Sequence, residues 1–186
     1  MIVFWGLVVG LPMAAFGALC AVKPSKALAF SRAFEQSRIA AIVLTVAAWF
    51  WTAHELDIIG IDVFDAVTKR FPGELWILAL VLSYLTVIWM PKNLPVRALC
   101  GILMLAPASL FRVTRLLLPE SGASPVHIFV VWGYCAAIAG MYGMFYPWRL
   151  EKGLELVLNA PRALVAAFGA FLAVFGIALA AAGFTL

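Results

Sequence analysis

Two arginines and two histidines at the borders of long apolar stretches are the residues best placed to do chemistry in this chain. Arg112 and Arg115 lie three positions apart, so on a helix they share one face. Two guanidinium groups on one face can hold an anion, because each donates parallel hydrogen bonds to a phosphate or carboxylate. We therefore expect this pair to dock a lipid phosphate, a cofactor propionate or an acid on another subunit. The alternative is that both side chains extend to the membrane surface and bind no partner.

His54 and His127 each fall at the end of an apolar stretch, on the side of the membrane that carries the two arginines. Histidines on two facing helices can ligate haem b, with arginines near its propionates. His54 is also followed by Glu55 and Asp57, a metal-binding combination, but the sequence lacks the second histidine of a helical zinc motif. We expect no metal and no cofactor, and haem b is the alternative. No catalytic motif is found, so the chain is predicted to be non-catalytic.

The elements that must position these residues follow from the composition. Of the 186 residues, 66% are hydrophobic and 12% are charged. A membrane-spanning helix needs about 20 apolar residues, and residues 1–22 contain 22 positions without a charge. Backbone groups inside a bilayer must be paired within the segment, which predicts helices. The fold class is therefore an all-α integral membrane protein.

The apolar stretches predict about six transmembrane helices in a single membrane domain, residues 1–186. They are near 2–22, 39–54, 75–90, 98–118, 126–147 and 163–184. The short connections predict three helical hairpins, near 1–54, 75–118 and 126–186, with an outer amphipathic connection near 55–74.

The positive charges orient this arrangement. Nine basic residues lie on the first, third and fifth connections: Lys23, Lys26, Arg32, Arg38, Lys92, Arg97, Arg149, Lys152 and Arg162. Basic connections stay in the cytoplasm, so both termini are predicted outside the cytoplasm of a bacterial inner membrane. The net charge of +4 therefore indicates orientation, and no nucleic-acid partner is expected.

Two of the basic connections, near 25–36 and 149–159, place apolar residues at helical spacing and predict short helices lying at the membrane surface. The outer acidic connection has a similar apolar stripe, formed by Val63, Phe64, Val67 and Phe71. These helices either cover the ends of the bundle or contact lipid.

Small residues recur along three of the predicted spans, where they predict close helix packing. The last span carries Ala166, Gly169, Ala173, Gly176, Ala180 and Gly183, the first carries Gly6, Gly10, Ala14 and Ala18, and the fifth carries the pairs Gly133 with Ala137 and Ala136 with Gly140. These ridges either pair within the chain or leave one for another subunit or a second copy. The three cysteines, Cys20, Cys100 and Cys135, all fall in apolar stretches and are expected to be buried and unpaired.

Three functions remain open from the residues alone. The first is a non-catalytic membrane subunit of a larger complex, in contact with membrane lipids and with other membrane protein subunits or a second copy. The second is a small transporter or channel built from three hairpins. Coupling to protons or sodium is not expected, since no acidic residue is predicted deep in a span. The third is a haem- or quinone-associated electron-transfer subunit.

Overall fold

A computed structural model of the chain describes residues 2–59, 74–90, 92–117 and 124–186. Within those ranges the regular structure is entirely helical and comprises eight helices. They are α1 (Ile2–Val22), α2 (Pro24–Gln36), α3 (Arg38–Ile59), α4 (Glu74–Trp89), α5 (Leu94–Arg115), α6 (Val126–Phe145), α7 (Pro147–Leu158) and α8 (Arg162–Thr185). Five of them, α1, α3, α5, α6 and α8, are long and apolar enough to cross a membrane. The predicted all-helical class is confirmed, and these five helices are compatible with a membrane protein.

Two helix boundaries differ from the sequence prediction by four residues or more. α3 continues to Ile59, five residues past the predicted end at 54, because the acidic residues there interrupt the apolar run but not the backbone hydrogen bonding. α5 begins at Leu94, four residues early; Asn93 precedes it with a φ of 55°, a left-handed conformation that asparagine tolerates. The apolar stripe predicted at Val63–Phe71 lies outside the described residues.

The chain divides into two compact units. The first unit comprises Met1–Ala33, Leu110–Cys135 and Trp148–Leu186, and the second comprises Phe34–Ser109 and Ala136–Pro147.

Helices α1 and α8 pack closely against each other in the first unit, along a contact that we name the α1–α8 seam. A Cβ atom placed on Gly6 would lie 2.9 Å from the carbonyl oxygen of Leu179, and one placed on Gly169 would lie 2.5 Å from the backbone nitrogen of Ala21. Positions late in α1 therefore meet positions early in α8, and the two helices run antiparallel. Their backbones touch because glycine leaves no side chain between them.

The α1 side of this seam differs from the predicted ridge at one position. Gly17, rather than Ala18, faces α8, where a Cβ would overlap the backbone of Gly169 and Ala173, whereas Ala18 is exposed. Four-residue steps overshoot the 3.6-residue turn, so Gly6, Gly10 and Ala14 are followed on the same face by a step of three.

The surface helices α2 and α7 cover one end of the seam. Buried Ala27 of α2 and Leu158 of α7 form a cluster with Cys20 and Val165. Beside it Arg32 donates to the Glu155 Oε1 from both Nε and Nη2, at 3.0 and 2.9 Å. Helices are therefore present at both of the basic amphipathic connections predicted from the sequence.

The second unit contains the antiparallel pair α3 and α4 and parts of α5 and α6. The Trp49 indole donates to the Thr86 hydroxyl at 3.1 Å, and Ala53 packs with Leu75 and Ala79. On α6, a Cβ on Gly140 would lie 2.7 Å from the carbonyl oxygen of Cys100 of α5. These contacts bring four apolar helices around one cleft, described below.

Candidate functional site

Arg112 and Arg115 lie in the last turn of α5, and both are exposed. The intervening Thr114 is 2% exposed and donates its hydroxyl to the Phe111 carbonyl at 3.3 Å. This end of the helix is positioned by Phe111, whose ring stacks at a tilt on Tyr134 with centroids 5.0 Å apart. Basic side chains at a helix C-terminus also balance the negative end of its dipole. The two arginines thus present two positive charges at the end of an apolar helix.

His54 and His127 are both exposed, His54 on α3 in the second unit and His127 in the first turn of α6 in the first unit. The Nδ1 of His127 lies 2.9 Å from the carbonyl oxygen of Ser124. A protonated Nδ1 donating there would leave Nε2 as the ligand atom. Haem b ligation remains a prediction, which a Soret band in the purified protein would test. In the described ranges, no three His, Cys, Asp or Glu side chains gather into a group able to hold a metal.

Cys20 and Cys100 are buried and unpaired, as predicted, whereas Cys135, on α6, is unpaired and exposed. The prediction of a buried thiol at Cys135 was therefore wrong. An apolar stretch places a residue inside the membrane but does not determine whether it faces protein or lipid.

A buried carboxylate, Glu55, is the functional candidate that the sequence reasoning missed. Its side chain is 4% exposed and accepts hydrogen bonds from the Trp51 indole, at 3.1 Å, and from the Ser109 hydroxyl. The sequence prediction placed Glu55 in the outer connection near 55–74, whereas it lies on α3, four residues before that helix ends at Ile59. The helical repeat could have indicated this burial. Glu55 lies seven residues, about two turns, after Ala48, and therefore on the α3 face that meets α5 at Gly101.

An apolar cleft of about 470 Å³ lies between α3, α4, α5 and α6, entirely within the second unit. Its volume falls in the range of small-molecule sites, about 300–1,000 Å³. Most of the lining is apolar, and the exposed residues at its edge are Met90, Met104, Met144 and Phe145. Methionine side chains are flexible and adapt to occupants of different shape. We name this feature the apolar cleft.

Two polar atoms in the lining of the apolar cleft are buried and have no hydrogen-bond partner among the described residues. They are Oγ1 of Thr45 and Nε of Arg97. The other hydroxyls of the lining are satisfied: Thr52 donates to the Ala48 carbonyl at 2.8 Å, and Thr86 donates to the Leu82 carbonyl at 2.7 Å. Buried polar groups are normally paired. These two atoms therefore mark where a ligand would be hydrogen-bonded.

A second, more polar pocket of about 340 Å³ adjoins the apolar cleft, and Leu94 lines both. Its lining includes Glu35, Gln36, Ser37 and Arg38, at the junction of α2 and α3. We name it the polar pocket. Together the two cavities combine an apolar part with a polar, charged end.

The predicted helix-packing residues lie on the α1–α8 seam. Gly6, Gly10, Gly169, Gly176 and Gly183 are buried there, and Ala173 and Ala180 are partly buried.

Comparisons of this chain with protein-family models, with curated proteins and with solved structures found no match.

Proposed function

We propose that this protein is a non-catalytic integral membrane subunit, which crosses a bacterial inner membrane six times and docks on a partner through Arg112 and Arg115. The observation that carries the proposal is the exposure of both arginines, side by side at the end of an apolar helix. Two charged groups at the edge of a membrane span suit a carboxylate or phosphate on a neighbouring molecule. A partner subunit with an acid at that depth fits this chemistry best.

The antiparallel α1–α8 seam supports six crossings. If α1 and α8 both span the membrane and run in opposite directions, the number of crossings is even. Among the described helices five meet the length requirement, so we assign the sixth crossing to the 16-residue α4. At 1.5 Å per residue it is about 24 Å long, short of a ~30 Å hydrocarbon core, a mismatch that local thinning of the bilayer accommodates.

The α1–α8 seam also bears on which surface a partner subunit would contact. The small residues of α1 and α8 pack against each other, and Gly140 lies against the backbone of α5. These close-packing surfaces are therefore used within the chain. That leaves the arginine pair, rather than a small-residue ridge, as the proposed contact with another subunit.

Gentle solubilisation of native membranes, followed by identification of the comigrating proteins, tests the subunit role. Replacing Arg112 and Arg115 together by Gln should release the partner. Replacing both by Lys should weaken binding of the partner, because lysine keeps the charge but lacks the planar guanidinium that donates two parallel hydrogen bonds. As a matched control, Lys23 and Lys26 are also exposed and three residues apart, and their double Gln variant should retain the partner. Full retention in the Arg112→Gln, Arg115→Gln variant would remove the proposed docking role.

A small transporter or channel is the second candidate, and buried Glu55 favours it. Ionisable side chains buried in a membrane helix commonly mark ion or proton pathways. If Glu55 serves transport, the wild-type protein reconstituted in vesicles should conduct protons or sodium, and Glu55→Gln should abolish that flux. Equal flux in protein-free and protein-containing vesicles would exclude this candidate.

A further inference from the structure

We propose that the apolar cleft and the polar pocket together bind one anionic glycerophospholipid. The phosphate headgroup lies between Arg38 and Arg97, and an acyl chain lies along α5. Leu94 lines both cavities, so they are adjacent, and the proposed lipid extends across this residue. All the residues involved belong to the second unit.

The depth of the apolar cleft matches one half of a bilayer. On α5 its lining runs from Leu94 to Leu105. Eleven residues at 1.5 Å correspond to about 16 Å, and the eight residues from Arg97 to Leu105 to about 12 Å. Half of a ~30 Å hydrocarbon core is about 15 Å. With the phosphate at Arg97, the cleft therefore accommodates most of the acyl chain of a single leaflet. That leaflet is the cytoplasmic one if the proposed orientation holds.

The unpaired polar atoms occur where such a lipid has its polar groups. Arg97 lies near the start of α5, at the charged end of the cleft, and its buried Nε is available to a phosphate oxygen. Thr45 is seven residues, about 10 Å, into α3 and only 2% exposed. Its hydroxyl is placed to donate to an ester carbonyl below the headgroup. The other polar side-chain groups of the lining, the Thr52 and Thr86 hydroxyls and the Trp49 indole N–H, are already hydrogen-bonded.

The charges around the headgroup position favour a lipid with a net negative charge. Arg38 and Arg97 line the two cavities, and Glu35 lines the polar pocket and already has an interaction within the protein. With two arginines and one carboxylate, the net charge around the headgroup position is positive. A lipid with a phosphate and no amine, such as phosphatidylglycerol, fits this positive charge better than zwitterionic phosphatidylcholine.

The test offers the purified full-length protein equal amounts of phosphatidylglycerol and phosphatidylcholine with identical acyl chains, and counts retained lipid by native mass spectrometry. The wild type should retain phosphatidylglycerol preferentially. Arg97→Gln should weaken that retention about tenfold, the loss expected for one charge-assisted hydrogen bond. Thr45→Val should weaken retention of both lipids and keep the preference, since the hydroxyl contacts no charge.

A cleft-filling variant tests the acyl-chain position separately. A Cβ on Gly101 would meet only the Cβ of Ala48, at 4.0 Å, so Gly101→Leu can place its side chain in the cleft without displacing backbone. This variant should lose the lipid while keeping the wild-type melting temperature. Gly153→Leu is the matched control, because a Cβ there has no neighbour within 4 Å, and it should retain the lipid.

Equal retention of the two lipids by the wild type, or unchanged retention in both Arg97→Gln and Gly101→Leu, would overturn the proposal. Arg112 and Arg115 lie at the other end of α5, so the lipid experiment and the subunit experiment test different sites. The Arg112→Gln, Arg115→Gln variant should bind phosphatidylglycerol as the wild type does, whether or not it loses a partner protein.

Discussion

Gly10 of α1 and Gly176 of α8 meet backbone to backbone: a Cβ on Gly10 would lie 2.5 Å from the carbonyl oxygen of Gly176. Real side chains do not approach a backbone oxygen so closely, so neither position has space for a larger residue. The first and last helices of the described chain therefore contact each other at positions where a side chain would push them apart. Close approach of this kind supplies many small dispersion contacts, which are individually weak and collectively large.

Gly176→Leu should therefore destabilise the protein strongly. Its Cβ would lie 2.5 Å from the backbone nitrogen of Ala14 and 2.6 Å from the carbonyl oxygen of Gly10, so the helices must move apart. We expect a loss of at least about 2 kcal/mol, within the range measured for overpacked cores. Thermal unfolding in detergent, followed by circular dichroism, measures it.

Two controls separate the seam from general effects of substitution. Phe171 is 64% exposed on the same helix, and Gly153 has open space around it, so Phe171→Leu and Gly153→Leu should unfold close to the wild-type temperature. If Gly176→Leu unfolded at the same temperature as these two variants, the close-packed seam would be incorrect.

The orientation predicts opposite labelling at two exposed positions. In a variant with Cys20, Cys100 and Cys135 replaced by alanine, a cysteine at Asn159 should resist an impermeant thiol reagent in intact cells. A cysteine at Leu117 should react, because the proposed topology places it outside the cytoplasm. Both positions are exposed on the described surface, so permeabilised cells should label both. The reverse pattern in intact cells would invert the topology.

The hydrogen bonds of Glu55 predict a graded response to substitution. Glu55→Gln keeps an oxygen that can accept from Trp51 and Ser109, so it should change the free energy of unfolding by less than about 1 kcal/mol. Glu55→Ala removes the acceptor and should cost about 1–3 kcal/mol. Asp57 is exposed two residues later, and Asp57→Ala serves as the control. Equal stabilities for Glu55→Ala and Asp57→Ala in chemical denaturation would show that the buried cluster contributes nothing.

The surface helices α2 and α7 should depend on apolar contact more than on their ion pair. The side chains of Arg32 and Glu155 are 55% and 41% exposed, and exposed pairs contribute about 0.2–1 kcal/mol. Leu158 is 5% exposed in the cluster with Cys20, and Leu→Ala changes at such sites cost about 2–5 kcal/mol. Leu158→Ala should therefore lower the melting temperature clearly more than Arg32→Gln. A larger effect of Arg32→Gln would mean that the ion pair dominates.

The helices themselves could be predicted well from the sequence. Length, apolar content and backbone pairing in lipid are properties of one segment at a time, so the predicted spans near 2–22, 126–147 and 163–184 agree closely with α1, α6 and α8. The two basic amphipathic connections could also be predicted, because their apolar spacing is local. Where charges interrupted an apolar run, as at Glu55, the predicted end was too early.

Which side chains meet was decided only by the tertiary structure. Whether Gly17 or Ala18 faces α8, whether Cys135 is buried, and whether Glu55 is enclosed by Trp51 and Ser109 all depend on how each helix is rotated toward its neighbours. The apolar cleft is likewise formed by four helices that are separate in sequence. In an almost uniformly apolar span, hydrophobic periodicity barely distinguishes a lipid-facing side from a protein-facing one, so rotation is set by close packing of small residues and by pairing of the few polar groups.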